Sequence, residues 1–182
     1  MNIEEIISKQ REFFDERRTF DVNYRIATLK KFKQAIIEHQ SEIFEALKAD
    51  LGKSETESYM CEVGLTLSEL SYQIKHLKKW NRPKRKKMSL PNFHSKNMIV
   101  QEPYGVVLVM SPWNYPILLT MGPLIGAIGA GNCCVVKPSA YSPKTSVIVS
   151  ASIRINFKFS NGFSSIFCNP RNKTLEYFSI PT

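Results

Sequence analysis

Between Gly105 and Val136 the chain carries no charged residue, and a stretch of that length has to be hidden either in a bilayer or inside a protein core. Its own residues decide between the two. Ser111, Pro112, Trp113, Asn114, Tyr115 and Pro116 put two prolines and an amide in the middle, leaving a strand-sized piece before them and the 15 residues Ile117 to Gly131 after. Both pieces fall short of the roughly 20 residues that a spanning helix needs. The stretch therefore reads as a fully buried strand, turn and helix, with no transmembrane segment.

The same segment sets the fold class. Gly105 to Met110 (GVVLVM) is a continuous β-branched and aliphatic run suited to a central parallel strand, and Pro116 to Ala130 suits a helix with proline near its first turn. Cys133 to Lys137 (CCVVK) reads as a second strand, and Ser142 with Pro143 as the N-cap and first residue of another helix. Strand, helix, strand, helix implies a right-handed crossover in a doubly wound, Rossmann-like parallel sheet, with ligands expected at the C-terminal strand ends. Gly122, Gly126, Gly129 and Gly131 do not match a GxGxxG fingerprint and are read as helix-packing and turn glycines.

The preceding residues read as helices. From Tyr24 onward Ala27, Phe32, Ala35, Ile36, Phe44 and Leu47 recur at near-helical spacing, and Gly52 stands where a left-handed cap would end that helix. Ser54 and Glu57 have capping-box spacing before an apolar stripe of Val63, Leu67, Leu70, Ile74 and Leu77. Asn81, Pro83, Pro91 and Asn92 mark a connecting loop, followed by a short strand at Met98 to Gln101. The fold expected is thus α/β but incomplete: a helical region with loop and short strand over 1–102, a partial nucleotide-binding domain over 103–146, and an atypical tail over 147–182.

Charge is uneven along this layout. Of the net +9, most lies in residues 81–146, where eight Lys or Arg stand against one acidic residue, and it centres on Arg82, Lys84, Arg85, Lys86 and Lys87. No aromatic residue interleaves with that run and no nucleic-acid motif surrounds it, so a solvated loop is expected and no nucleic-acid partner. The first ten residues include Glu4 and Glu5 and lack the apolar run of a signal peptide, and Cys61, Cys133, Cys134 and Cys168 lack CxxC spacing. Together these point to a cytoplasmic protein with reduced thiols and neither a disulfide framework nor a metal site.

Two segments follow the two strands. In SPWNYP, an amide held by prolines and aromatics at a strand end can donate into a dry pocket, as a tetrahedral oxyanion requires, a contribution of about 2.7 to 4 kcal/mol. The plainer reading, which spacing alone favours, is that Asn114 caps the helix that begins near Pro116. In Lys137, Pro138, Ser139, the lysine is placed to meet ribose hydroxyls or phosphate oxygens, or else simply ends the strand at the surface.

The stretch EPYGVVLVMSPWNYP, followed by GPLIGAIGAGNCCVVKPSAYSP, resembles the signature of the aldehyde dehydrogenase superfamily in order, spacing and residue choice. LKKFKQAI, ALKADLGKSETE and EVGLTLSEL are similar to the branch acting on fatty and aromatic aldehydes, and the likeness covers roughly residues 1 to 146. The resemblance implies NAD or NADP as cofactor and an aldehyde as substrate. It implies that Asn114 holds the oxyanion formed when a cysteine thiolate attacks the aldehyde. It further implies that Met110, Ser111, Pro112 and Trp113 line the nicotinamide-ribose side of the cleft, and that Lys137, Pro138 and Ser139 contact the adenosine ribose. Tyr115 and Leu119 border the aldehyde channel or serve the helix core. Many relatives carry an acidic residue after KPS; Ala140 stands there in this chain.

Family chemistry also needs a thiolate nucleophile and a glutamate that activates water for thioester hydrolysis, and both motifs lie downstream of the matched part. Cys133 and Cys134 fall on a predicted buried strand, and Cys168 lies in FCNP, unlike the nucleophile's setting. After Ser146 the acidic residues fall to Glu176 alone, and Ile153, Ile155, Phe157 and Phe159 alternate with period two where a helix should still run. The tail thus reads as out-of-frame translation with no further strand-helix rhythm. The expectation is a truncated NAD(P)-dependent aldehyde dehydrogenase without turnover of its own. Its implied partners are copies of itself or an intact dehydrogenase subunit that it pairs with as a non-catalytic fragment.

Overall fold

The computed structural model describes residues 3–87, 94–156, 163–168 and 175–177, with side chains as far as Ala151. Pro91 and Asn92 of the basic loop, and Phe157 and Phe159 of the tail, lie outside the described residues. Helix α1 (Ile3–Asp15) leads through a short 3₁₀ turn to α2 (Val22–Glu38) and α3 (Gln40–Leu51). The near-helical spacing read from Tyr24 is thus shared by two helices that part at His39. Ala27 is exposed, and Arg25, Thr28 and Leu29 take the inward positions. Gly52 ends α3 in the left-handed conformation (φ 70°), its N–H donating to Lys48 O, and the Ser54 hydroxyl accepts Glu57 N–H as the capping spacing implies.

Helix α4 (Glu55–Ser58) runs through one wide π turn, Tyr59–Val63, into α5 (Gly64–Trp80). The π turn depends on Gly64. Its N–H donates to Tyr59 O five residues back, and a Cβ on Gly64 would lie 2.9 Å from that same oxygen. The extra residue in the turn brings Glu62 and Val63 inward side by side, both with no exposed surface. Val63, Leu70 and Leu77 of the predicted stripe are buried, with Leu67 and Ile74 packed against the core.

Strands β1 (Lys84–Arg85) and β2 (Met98–Ile99) pair antiparallel, so the basic segment is a small exposed ribbon. Then β3 (Val106–Met110), α6 (Leu118–Gly129), β4 (Cys133–Lys137), α7 (Pro143–Asn156), β5 (Phe163–Cys168) and β6 (Leu175–Tyr177) build a sheet of order β3-β4-β5-β6. The β3, β4 and β5 strands are parallel and β6 returns antiparallel. Two βαβ crossovers make this the beginning of a doubly wound sheet.

Period-two alternation along the strands divides the core. Val107, Val109, Cys134 and Val136 face the layer of α2, α3, α5, α6 and α7, while Val106 and Val135 face Ile6 of α1 on the other side. Two expectations need correction. The β3 strand is neither central nor fully buried: it forms the edge of the described sheet, and Leu108 and Met110 are 59% and 64% exposed, because α1 covers only the beginning of that face. The strand-helix rhythm also continues past Ser146. Helix α7 extends to Asn156, with Ile153 and Ile155 in its backbone, and β5 lies parallel to β4 with Cys134 opposite Phe163.

Candidate active site

Strands β3 and β4 end in register, Met110 opposite Lys137, and the Ser111 N–H donates to Lys137 O at 3.2 Å. The two predicted segments therefore leave the sheet side by side at its C-terminal edge, where open α/β sheets bind ligands. Met110, Pro112, Trp113, Asn114, Tyr115 and Leu119 are exposed there. The Ser111 hydroxyl is shielded from solvent and has no hydrogen-bond partner, and such a group calls for a ligand or an ordered water. Lys137 is half-buried. Pro138 and Ser139 are buried, and Ser139 is already engaged: its hydroxyl accepts Tyr141 N–H at 3.2 Å, and its carbonyl accepts the Ser146 hydroxyl at 2.7 Å.

The reading of Asn114 as a helix cap is overturned. The first N–H groups of α6, those of Ile117 and Leu118, donate to Glu62 Oε2 at 2.8 and 3.3 Å, and the side chain of Asn114 takes no part. Glu62 Oε1 pairs at 2.6 Å with Lys53 Nζ, which also donates to Asn114 O at 3.1 Å and lies 4.1 Å from the centroid of the Tyr115 ring. A similar device holds α7. Ser142 occupies the N-cap position with Pro143 next, but the cap comes from Asp50, whose carboxylate accepts Lys144 N–H, Thr145 N–H and the Thr145 hydroxyl. Sequence reasoning missed Asp50, Lys53 and Glu62. No local spacing marks Glu62: on a regular helix it lies about 100° to the side of the Val63, Leu67 and Leu70 stripe, and the π turn is what brings it inward.

Arg25 closes the other end of α6, donating to Gly129 O at 2.8 Å and also to Phe20 O and Asn81 Oδ1. Burial lowers its guanidinium from the ordinary value while Asp21 acts in the opposite sense. Gly129 packs on Gln73 of α5, where a methyl group would overlap the amide oxygen, whereas Gly122 faces open space. On the α1 side of the sheet a cleft of about 660 Å³ is lined by Ile7, Phe14, Val106 and Leu108, with Arg11 and Lys137 as its cations. Lys137 is the one predicted site residue that reaches it.

Neither cysteine of β4 is placed as a nucleophile. Cys133 and Cys134 are fully buried; burial pushes the Cys133 thiol up to about 12 and Cys134 further, with Cys133 adding to the rise. Cys61 lies on the π turn, and the side chain of Cys168 lies outside the described residues. Among the described residues no cluster of His, Cys, Asp or Glu could hold a metal ion, and no helix is long and apolar enough to cross a membrane.

The profile of the Aldehyde dehydrogenase family matches residues 1–177. The chain belongs to the aldehyde dehydrogenase family. It is 40% identical over 155 residues to the 4,4'-diaponeurosporen-aldehyde dehydrogenase of Staphylococcus aureus, covering 85% of this chain and 34% of that one. It is 43% identical over 144 residues to Aldehyde dehydrogenase family 3 member H1 of Arabidopsis thaliana, covering 79% and 30%. Among solved structures, the substrate-bound state of Staphylococcus aureus AldH superposes with a TM-score of 0.88 at 39% identity, covering 92% of this chain and 36% of that one. The chain thus spans about a third of the length of the curated relatives it matches. The family match also runs well past Ser146, where the likeness read from motifs alone stops.

Proposed function

We propose that this chain supplies the oxyanion donor and the cofactor-facing strand ends of an enzyme that oxidises an aldehyde to a carboxylic acid with NAD or NADP. The observation that carries the reading is the register of Met110 with Lys137, which brings SPWNYP and KPS to one edge of one sheet. Asn114 is the amide that stabilises the oxyanion; Tyr115 and Leu119, exposed on the same turn and the first turn of α6, border the aldehyde. The free Ser111 hydroxyl and the half-buried Lys137 ammonium fit a cofactor rich in hydroxyl and phosphate oxygens, and Met110, Pro112 and Trp113 offer apolar surface beside them. Pro138 and Ser139 meet the adenosine ribose beside Lys137; the Ser139 hydroxyl accepts Tyr141 N–H and keeps its own O–H to donate. The bound cofactor accepts hydride, and the residues named here orient it and the aldehyde. A cytoplasmic location is part of this reading.

The 182-residue chain alone is expected to have no turnover: a thiolate is the required nucleophile, Cys133 and Cys134 are fully buried on β4, and Cys168 stands in FCNP, unlike the nucleophile's setting. Two measurements test the proposal. NAD(P)-dependent oxidation by the purified chain should be absent; activity abolished by Cys168→Ala would overturn the inactive assignment. Titration of NAD+ and of NADP+ into the ¹⁵N-labelled chain should move the backbone amides of Ser111 and Lys137 first. Shifts confined to the other end of the sheet, or none at millimolar cofactor, would sink the site.

A further inference from the structure

An oxyanion donor works only if its position is fixed before charge develops, and Asn114 sits on an exposed turn with no regular secondary structure. The turn is nevertheless tied down from one place. Lys53 is 8% exposed and Glu62 not at all, and every polar contact described for their two side chains beyond their own ion pair goes to residues 114 to 118. The ammonium points at the Glu62 carboxylate, the Asn114 carbonyl and the face of the Tyr115 ring. The second carboxylate oxygen takes both leading N–H groups of α6.

We propose that Lys53 and Glu62 are the positioning residues of the Asn114 turn, an inference that rests on the reading of Asn114 given above. Lys53 holds the Asn114 carbonyl, and because the peptide is planar and trans this fixes the plane that joins Asn114 to Tyr115. Glu62 fixes where α6 begins, three residues further on. With that plane held and the start of α6 fixed beyond it, the Asn114 Cα, which lies in the plane, has little freedom, so its side chain starts from a set position. The pair is neutral overall, so the turn gains direction without gaining net charge. A buried ion pair is a costly way to gain stability alone, since apolar residues of similar volume commonly do as well or better. Its contacts therefore make sense as orientation. The Gly64 π turn belongs to the device, because it brings Glu62 inward.

The test uses the full ¹⁵N-labelled chain and the double variant Lys53→Met/Glu62→Gln, which removes both charges and leaves no orphan ion. The amide exchange of Ile117 and Leu118 should accelerate about tenfold relative to Thr145, whose N–H is held by Asp50 and serves as internal control. The Asn114 side-chain NH₂ resonances should move and show added motion. A folded double variant with unchanged exchange at Ile117 and Leu118 and unchanged Asn114 resonances would overturn the proposal. If the double variant does not fold, Lys53→Arg and Lys53→Met read the same point. The cation-preserving change should hold Asn114 near its original resonances while Lys53→Met does not, and equal behaviour of the two would refute the clamp. None of these readouts involves turnover or cofactor, so the clamp and the proposed function fail separately.

Discussion

The helical region, residues 3 to 80, and the sheet segment from Gly105 to Lys137 divide the labour of one fold. The first is rich in charge of both signs and mostly amphipathic; the second has no charge until Lys137. A helix buried in such a segment still has a dipole and unsatisfied N–H and C=O groups at its ends. Helix α6 has no side-chain cap of its own, and the helical region supplies what it lacks: Glu62 at the N-terminus and Arg25 at the C-terminus. Asp50 does the same for the start of α7. The apolar segment can be chosen for packing alone because its electrostatics are met from across the core.

Breaking the largest of these links should cost most. Glu62→Ala leaves a buried ammonium without its counter-ion and the N–H groups of Ile117 and Leu118 without their acceptor, and is expected to destabilise the chain by about 3–5 kcal/mol, read as a lowered urea midpoint. A loss below 1 kcal/mol would mean that the charges of the helical region are not what closes α6. Arg25→Ala should cost less, about 1–3 kcal/mol, since Gly129 O and Phe20 O lose a charged donor but no ion is stranded. Asp50→Ala removes only an N-terminal cap at a partly exposed site, and about 0.5–2 kcal/mol is expected in the same measurement.

This division also explains what the sequence could reveal. Strands β3 and β4, helix α6 and the Gly52 and Ser54 caps were legible because each is written within a few neighbouring residues. The shared edge of SPWNYP and KPS followed from strand order. Asp50 and Glu62 were not legible because their partners lie 95 and 55 residues away, and no local spacing records such a bond. The exposure of Leu108 and Met110 was missed for a related reason: an unbroken apolar run states that a strand can be buried, while its neighbours decide whether it is.

The thiols sharpen the contrast from the other side, since here the uncharged segment resists acquiring charge. Cys133 has an ordinary value of 9.0 in the unfolded chain and about 12 in the fold, with Cys134 raised further. Between those values the unfolded state has lost a proton that the folded state keeps, so stability is unaffected below about pH 9 and falls as pH rises beyond it. Replacing both by alanine should flatten the alkaline limb of the urea midpoint against pH while leaving neutral behaviour to the packing loss. An unchanged alkaline slope would show that these thiols are open to solvent. Iodoacetamide at pH 8 should spare both in the native chain.

The smallest effect should come where the segment's apolar surface is open. Leu108 lies on β3, 59% exposed, on the face that α1 leaves uncovered. Lysine there strands no partner and opens no cavity, so Leu108→Lys is expected to change the urea midpoint by no more than about 0.5 kcal/mol in equivalent free energy. It should also reduce self-association in light scattering, because a lysine beside an unpaired strand edge opposes edge-to-edge pairing. The same substitution at Val109, 7% exposed on the opposite face, should unfold the chain. If the two neighbouring positions respond alike, the alternation that divides the core is wrong, and with it the claim that α1 covers only the beginning of the face opposite the main helical layer.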